Sequence, residues 1–273
     1  MRFLWILVFV LSSATASFAL GGEVASSESA FIKLIPPAQI ENQARGQYYQ
    51  LLNDAKAHRA LAGVSHPLFI RVNTISRRLI PIAVTWNSRA RGWTWEVNVI
   101  GSNTVNAFCM PGGKIAVYSG LIQQLKLNDD ELAMVIGHEM THAVLEHARE
   151  QMGKGLVTQG VTRFGGLVVA SVLGVDPRMT DMVARGGSEL LLLKFSRQDE
   201  TQADLVGMEM AARAGFDPRA AISLWEKMSK LDSTRPNPWL STHPADKTRI
   251  TDLENNLKKV MPLYATALQK KKN

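Results

Sequence analysis

The run His138-Glu139-Met140-Thr141-His142 carries two imidazoles and a carboxylate at a spacing that a helix turns into a metal site. Four residues correspond to about 400° of helical rotation, so the two imidazoles emerge about 40° apart, one turn above the other, and can share one ion. Glu139 lies beside that face. Neutral imidazole suits Zn²⁺, and a catalytic zinc keeps three protein ligands plus a water whose pKa falls from 15.7 towards about 7. A carboxylate next to that water can take its proton and later pass it to a leaving amine, which is the role the pattern offers Glu139. The flanking Leu132, Ala133, Val135, Ile136, Ala143 and Val144 are apolar, which places this helix in the core. Histidines and a glutamate buried there without partners would be costly.

A third ligand is needed, and the single cysteine, Cys109, reads as a small buried apolar residue. The other histidines are His58, His66, His147 and His243. His147 follows His142 by five residues, about 140° off the face of the first pair, and reads as a packing residue or one that supports a ligand. A second source is the acidic run 199–204, where Glu200 and Asp204 stand at i and i+4 on one helix face. Glu200 could ligate the metal while Asp204 accepts the free N–H of a ligating histidine. A solvated acidic helix start is the alternative reading of the same residues.

These side chains need elements to position them. Apolar periodicity gives a helix over residues 40–61, with Tyr48, Leu51, Leu52 and Ala55 on one face. A second helix is expected over 68–80, with Phe69, Val72, Ile75, Ser76 and Leu79 inward and Pro81 ending it. Residues 93–100 alternate as a strand, and 106–110, the turn Pro111-Gly112-Gly113 and 114–118 read as strand, turn and strand. Asn128, with Glu131 three residues on, makes a capping box for a helix running to about residue 151. Residues 153–175 are glycine-rich and apolar, fitting a buried or membrane-surface hairpin too short to span a bilayer. Further helices are expected over 179–214, broken at Gly186-Gly187, from Asp217-Pro218 to residue 231, and over 244–260, with a proline-rich loop across 232–243. The fold class is α+β, mainly helical, with a small sheet or hairpin.

Composition sets the frame. The chain has 273 residues, 46% of them apolar, which excludes disorder as the main state. Its 31 basic and 24 acidic residues give +7, but the basic ones are scattered except at Lys258-Lys259 and 270–272 and are not interleaved with aromatics. Nucleic acid is therefore not expected, while contact with an anionic membrane surface stays open. One cysteine excludes an intramolecular disulfide and a cysteine-rich zinc knuckle, so any metal must rest mostly on His, Asp and Glu. Arg2, the apolar run 3–11 and the small residues that follow read as a secretory signal. The organisation expected is a signal peptide over 1–19, a lead-in over 20–38, one domain over 39–263 and a basic tail over 264–273. An exported protein without disulfides fits a bacterial periplasm.

Four blocks carry a resemblance: HEMTHAVLEHA at 138–148, ETQADLVG at 200–207, NAFCMPGGKIAVYSGL at 106–121 and STHP at 241–244. In their order along the chain they resemble the gluzincin metallopeptidase family of HtpX, the CAAX prenyl protease and the periplasmic BepA and LoiP proteins. The resemblance covers about residues 68–260. It implies a zincin-like domain holding one zinc through His138, His142 and Glu200, with Glu139 as general base and Asp204 steadying a ligand. It implies also that Asn106, Ala107 and Phe108, with residues 114–117, border the cleft, where an edge strand binds extended substrate by main-chain hydrogen bonds. His243 falls in a block that the family places near the metal, where it could donate to the oxyanion; Arg197 could serve there instead, or pair with Asp204. The substrates implied are unfolded or misassembled exported proteins. A factor that holds such chains while a loop covers the metal is the competing reading.

Overall fold

A computed structural model describes residues 29–159, 189–231, 238–244 and 248–271. The expected signal, the hairpin beyond residue 159, the break at Gly186-Gly187 and the start of the proline-rich loop lie outside the described residues.

After a short 3₁₀ turn at Ala30–Leu34, α1 (Pro37–Ala57) and α2 (Pro67–Ala83) lead into a three-stranded sheet. Both helices begin with proline at the first helical position, where its missing N–H costs nothing. Pro81 does not end α2. It lies in the last turn, and the helix runs two residues past it to Ala83, because little of the backbone ladder remains there to be lost. The strands are β1 (Glu96–Ile100), β2 (Ala107–Met110) and β3 (Lys114–Tyr118), in the order β1-β3-β2, with β1 parallel and β2 antiparallel to β3. The β2–β3 turn holds Gly112 and Gly113 at φ 85° and 75°, a conformation that favours glycine. The strand expected from residue 93 starts three residues later, since 88–92 form a 3₁₀ turn that leaves Trp93 and Trp95 in a bend.

Then come α3 (Ser119–Gln124), α4 (Asp129–Val144) and α5 (His147–Gln159). The capping box on α4 is formed: the Glu131 amide donates to Asn128 Oδ1 at 2.8 Å and the Asn128 amide to Glu131 Oε2 at 2.9 Å. The helix expected to reach residue 151 instead breaks after Val144, where Glu146 takes φ 59° and α5 sets out in a new direction.

The helix expected from residue 179 begins, among the described residues, only at Arg197. A second capping box, Ser196 with Asp199, starts α6 (Arg197–Arg213), preceded by the 3₁₀ turn Glu189–Leu192. α7 (Ala220–Ser229), the five-residue α8 (Pro238–Thr242) and α9 (Thr248–Lys270) follow. The closing helix thus runs ten residues past its expected end, through most of the expected basic tail, because Leu257, Val260, Leu263 and Tyr264 continue its packing on the core.

Two apolar clusters meet at the sheet. The larger joins α2, α4, α6, α7 and α9 to one face, and the smaller joins α1 to the other through Phe108, Met110, Ala116 and Tyr118. The architecture is the expected α+β one, mostly helical around a small sheet.

Candidate metal centre and cleft

Helix α4 is buried from Glu131 to Val144, so its polar residues must find partners within the protein. It crosses α6 where both helices carry glycine. A Cβ on Gly137 would stand 2.9 Å from the carbonyl oxygen of Gly207, and one on Gly207 only 2.7 Å from the amide nitrogen of His138. With no side chain between them, the backbones approach closely enough for short carboxylates on α6 to reach imidazoles on α4.

The resulting cluster is His138, His142, Glu200 and His243, all buried, with one donor atom from each lying within 4.8 Å of the others. His138 Nε2 is 3.1 Å from His142 Nε2 and 3.5 Å from Glu200 Oε2, and His142 Nε2 is 3.6 Å from Glu200 Oε1. Donors held 2.0–2.1 Å from a tetrahedral zinc lie about 3.3 Å apart. The three donors expected for the ion therefore stand at the spacing zinc requires, and two neutral imidazoles with one carboxylate are a donor set that zinc accepts. His243 joins them through Nδ1, 2.9 Å from Glu200 Oε1 and 3.3 Å from His138 Nε2.

Around these four is a layer of contacts that fixes each ring. His138 Nδ1 lies 3.0 Å from Asp204 Oδ1, as expected of a carboxylate that orients a ligating histidine. His142 Nδ1 lies 2.9 Å from His147 Nδ1, and Phe195 stacks on the His142 ring at 3.9 Å between centroids. His147 would point away if α4 continued; the break at Glu146 turns it back onto His142, the contact expected of the supporting reading. Burial, followed by the neighbouring histidines, keeps His142 well below the ordinary imidazole pKa, and burial lowers His147 as well.

The carboxylates share a cation that the sequence reading did not single out. Arg249, buried on α9, donates from Nη1 to Glu200 Oε2 at 2.8 Å, from Nε to Asp204 Oδ2 at 2.6 Å and from Nη2 to Asp204 Oδ1 at 2.7 Å, and packs over the Trp225 ring. Burial alone would raise both carboxyls. His243, His138 and Arg249 around Glu200, and Arg249 with His138 around Asp204, hold them below their ordinary values instead. For His243, burial is outweighed by Glu139 and Glu200, which raise its pKa. Arg197, weighed as a partner of Asp204, sits exposed in the first turn of α6, and Asp204 is taken by His138 and Arg249. Arg249 is distant in sequence from both carboxylates, and its only sequence signal is its place six residues beyond His243.

Glu139 lies beside the cluster, its Oε1 accepting from Trp239 Nε1 at 2.7 Å and lying 3.5 Å from His243 Nε2. Trp239 is also absent from the sequence reading. It belongs to α8, and His243 follows directly on the end of that helix, its amide donating to the Trp239 carbonyl at 2.8 Å. In front lies a small cleft. Asn106, Ala107 and Phe108 line it, as expected, with Cys109 and Met110 continuing along β2. Leu190, Leu193 and Phe195 form the opposite, apolar wall.

Comparison with known proteins agrees with this geometry. The profile of Peptidase family M48 matches residues 70–257. The mitochondrial metalloendopeptidase OMA1 of Arabidopsis thaliana is 40% identical over 162 residues, 59% of this chain and 31% of that protein. The Schizosaccharomyces pombe OMA1 is 35% identical over 191 residues, 69% of this chain and 53% of that protein. Metalloprotease LoiP of Escherichia coli is 30% identical over 183 residues, 67% of this chain and 70% of its own length. The chain spans only about a third to a half of the two OMA1 proteins. The match over most of the chain, the paired imidazoles on α4 and the carboxylate on α6 lead to one assignment: the chain belongs to peptidase family M48, whose metallopeptidases use zinc.

Proposed function

We propose that this protein is a zinc metalloendopeptidase that cuts unfolded or misassembled proteins in an exported compartment. The observation that carries the reading is a donor cluster at zinc spacing with Glu139 beside it on the floor of an open cleft. His138, His142 and Glu200 would hold the ion. Zinc bound there supplies a Lewis acid that polarises the scissile carbonyl and acidifies water. Glu139 removes the proton from the attacking water and delivers it to the leaving amine, and Asp204 holds His138 in the ligating orientation. His243 would donate to the oxygen of the tetrahedral intermediate.

Substrate would lie along β2. The Tyr118 amide donates to the Asn106 carbonyl, and the alternation of an antiparallel ladder then turns the main chain of Phe108 and Met110 towards β3 and that of Ala107 and Cys109 towards the cleft. An extended peptide would pair with Ala107 and Cys109, while Asn106, whose Oδ1 caps the Ala107 amide at 2.9 Å, would have to release it. Pairing through main chain suits substrates chosen for being unfolded rather than for a sequence. The export part of the reading rests on the apolar N-terminal segment; none of the helices among the described residues is long and apolar enough to cross a membrane.

The decisive experiment compares wild type with Glu139→Gln on a denatured test protein. Loss of cleavage with zinc still bound supports the reading, and surviving cleavage sinks it. One observation favours a second reading, a latent site that holds chains and seldom cuts. His243 stands at ligand spacing while Trp239 occupies Glu139, and four protein donors around zinc are the pattern of a closed site. His243→Ala separates the two: activity falls if His243 serves the oxyanion and rises if it closes the centre.

A further inference from the structure

Helix α4 stops at Val144, and Glu146 turns the chain through φ 59°. This conformation costs a glutamate something, and it is held from several directions. Asn87 Nδ2 donates to the Val144 carbonyl at 3.0 Å. Arg89 Nη1 and Arg149 Nη1 take the two oxygens of Glu146 at 2.7 and 2.8 Å. Arg89 also pairs with Glu41 on α1, and Arg149 Nε donates to the Ile35 carbonyl at 2.5 Å, so the elbow is tied to the N-terminal part of the domain. Its product is the position of His147, whose Nδ1 is 2.9 Å from His142 Nδ1 and whose Nε2 is 3.0 Å from Gln202 Oε1 on α6.

Only one placement of protons in this chain of groups is compatible with a metal on His142. The ring atom that faces the donor cluster is Nε2, 3.1 Å from His138 Nε2, so a ligating His142 keeps its proton on Nδ1. That N–H donates to His147 Nδ1, which must then be bare. His147 carries its own proton on Nε2 and donates it to Gln202. Reversing either bond would put a proton on His142 Nε2, where the metal belongs.

We propose that Gln202 and the Glu146 elbow are positioning residues of the metal centre, acting through His147 to fix the tautomer and direction of the ligand His142. The inference deepens the zinc-site reading and rests on it. Groups that orient a metal-bound histidine usually change metal affinity by about 10–100-fold when removed.

The test uses the whole protein. Gln202→Met keeps the length of the side chain without the acceptor, and Gln202→Glu restores an acceptor. Zinc affinity is read by chelator competition, and the ring-nitrogen spectrum of His147 by NMR of the zinc-loaded wild type. The expected results are about tenfold weaker zinc binding by Gln202→Met, Gln202→Glu within roughly threefold of wild type, and the His147 proton on Nε2. Wild-type affinity in Gln202→Met, or a His147 proton on Nδ1, overturns the proposal. A wild type that binds no zinc defeats the zinc reading itself, whereas tight zinc in both wild type and Gln202→Met defeats only the relay. Should Gln202→Met fail to fold, the wild-type spectrum still decides.

Discussion

On one side of the metal centre, His138, His142 and Glu200 come from α4 and α6, two buried helices in close contact, and each donor group is backed by a further side chain: Asp204, His147 and Arg249. On the other side, Phe195, Trp239 and His243 come from short segments joined to each other and to the loop before β2 by long main-chain bonds. The Phe195 amide reaches the Thr242 carbonyl at 3.5 Å, and the Trp239 amide reaches Val105 at 3.3 Å. The first side is built to hold an ion; the second places an aromatic wall, a donor and a fourth imidazole over it. In the proposed zinc reading, holding the metal and controlling access to it fall to different segments, and substitutions can be aimed at each.

The largest effect is expected inside the reacting group. Glu139→Gln should lower the peptidase rate about a thousandfold while zinc content stays at one per chain, measured by metal analysis beside turnover. Next is Arg249→Met, which leaves two carboxylates buried without their cation. It should destabilise the metal-free protein by about 3 kcal/mol in urea unfolding, and added zinc should recover part of that loss. Gly207→Ala forces a methyl against the α4 backbone and should cost about 2 kcal/mol, with zinc weakened as the helices separate. The smallest change is aimed at the opposite side. Trp239→Phe removes one hydrogen bond to Glu139, worth about 1 kcal/mol, and should raise the rate a few-fold without touching zinc affinity. If Trp239→Phe lowers zinc affinity as much as Gly207→Ala does, the two sides are not separable.

What the sequence displayed, and what it hid, follows the same division. The metal-holding residues on α4 were legible because two imidazoles four residues apart have one geometry on a helix, and Asn128 with Glu131 announced where that helix starts. Ser196 and Asp199 carry the same signal for α6, but it fell inside a helix expected over 179–214 and was not used to place a start there. How His147 reaches His142 was not legible, since no pattern of apolar residues reveals a glutamate at positive φ. Arg249 and Trp239 were hidden for a different reason: their partners are 45 and 100 positions away, and such pairings exist only once the chain is packed.

The glycine crossing of α4 and α6 has a consequence for assembly. Two of the proposed ligands belong to one helix and the third to the other, separated by more than fifty residues of chain, so neither helix alone supplies the donor set. Metal capture then requires that α4 and α6 have found each other in the right register, to within the thickness of a methyl group. Zinc uptake would serve as a proofreading step for the nascent domain, leaving a misdocked chain without the one component that could make it a protease.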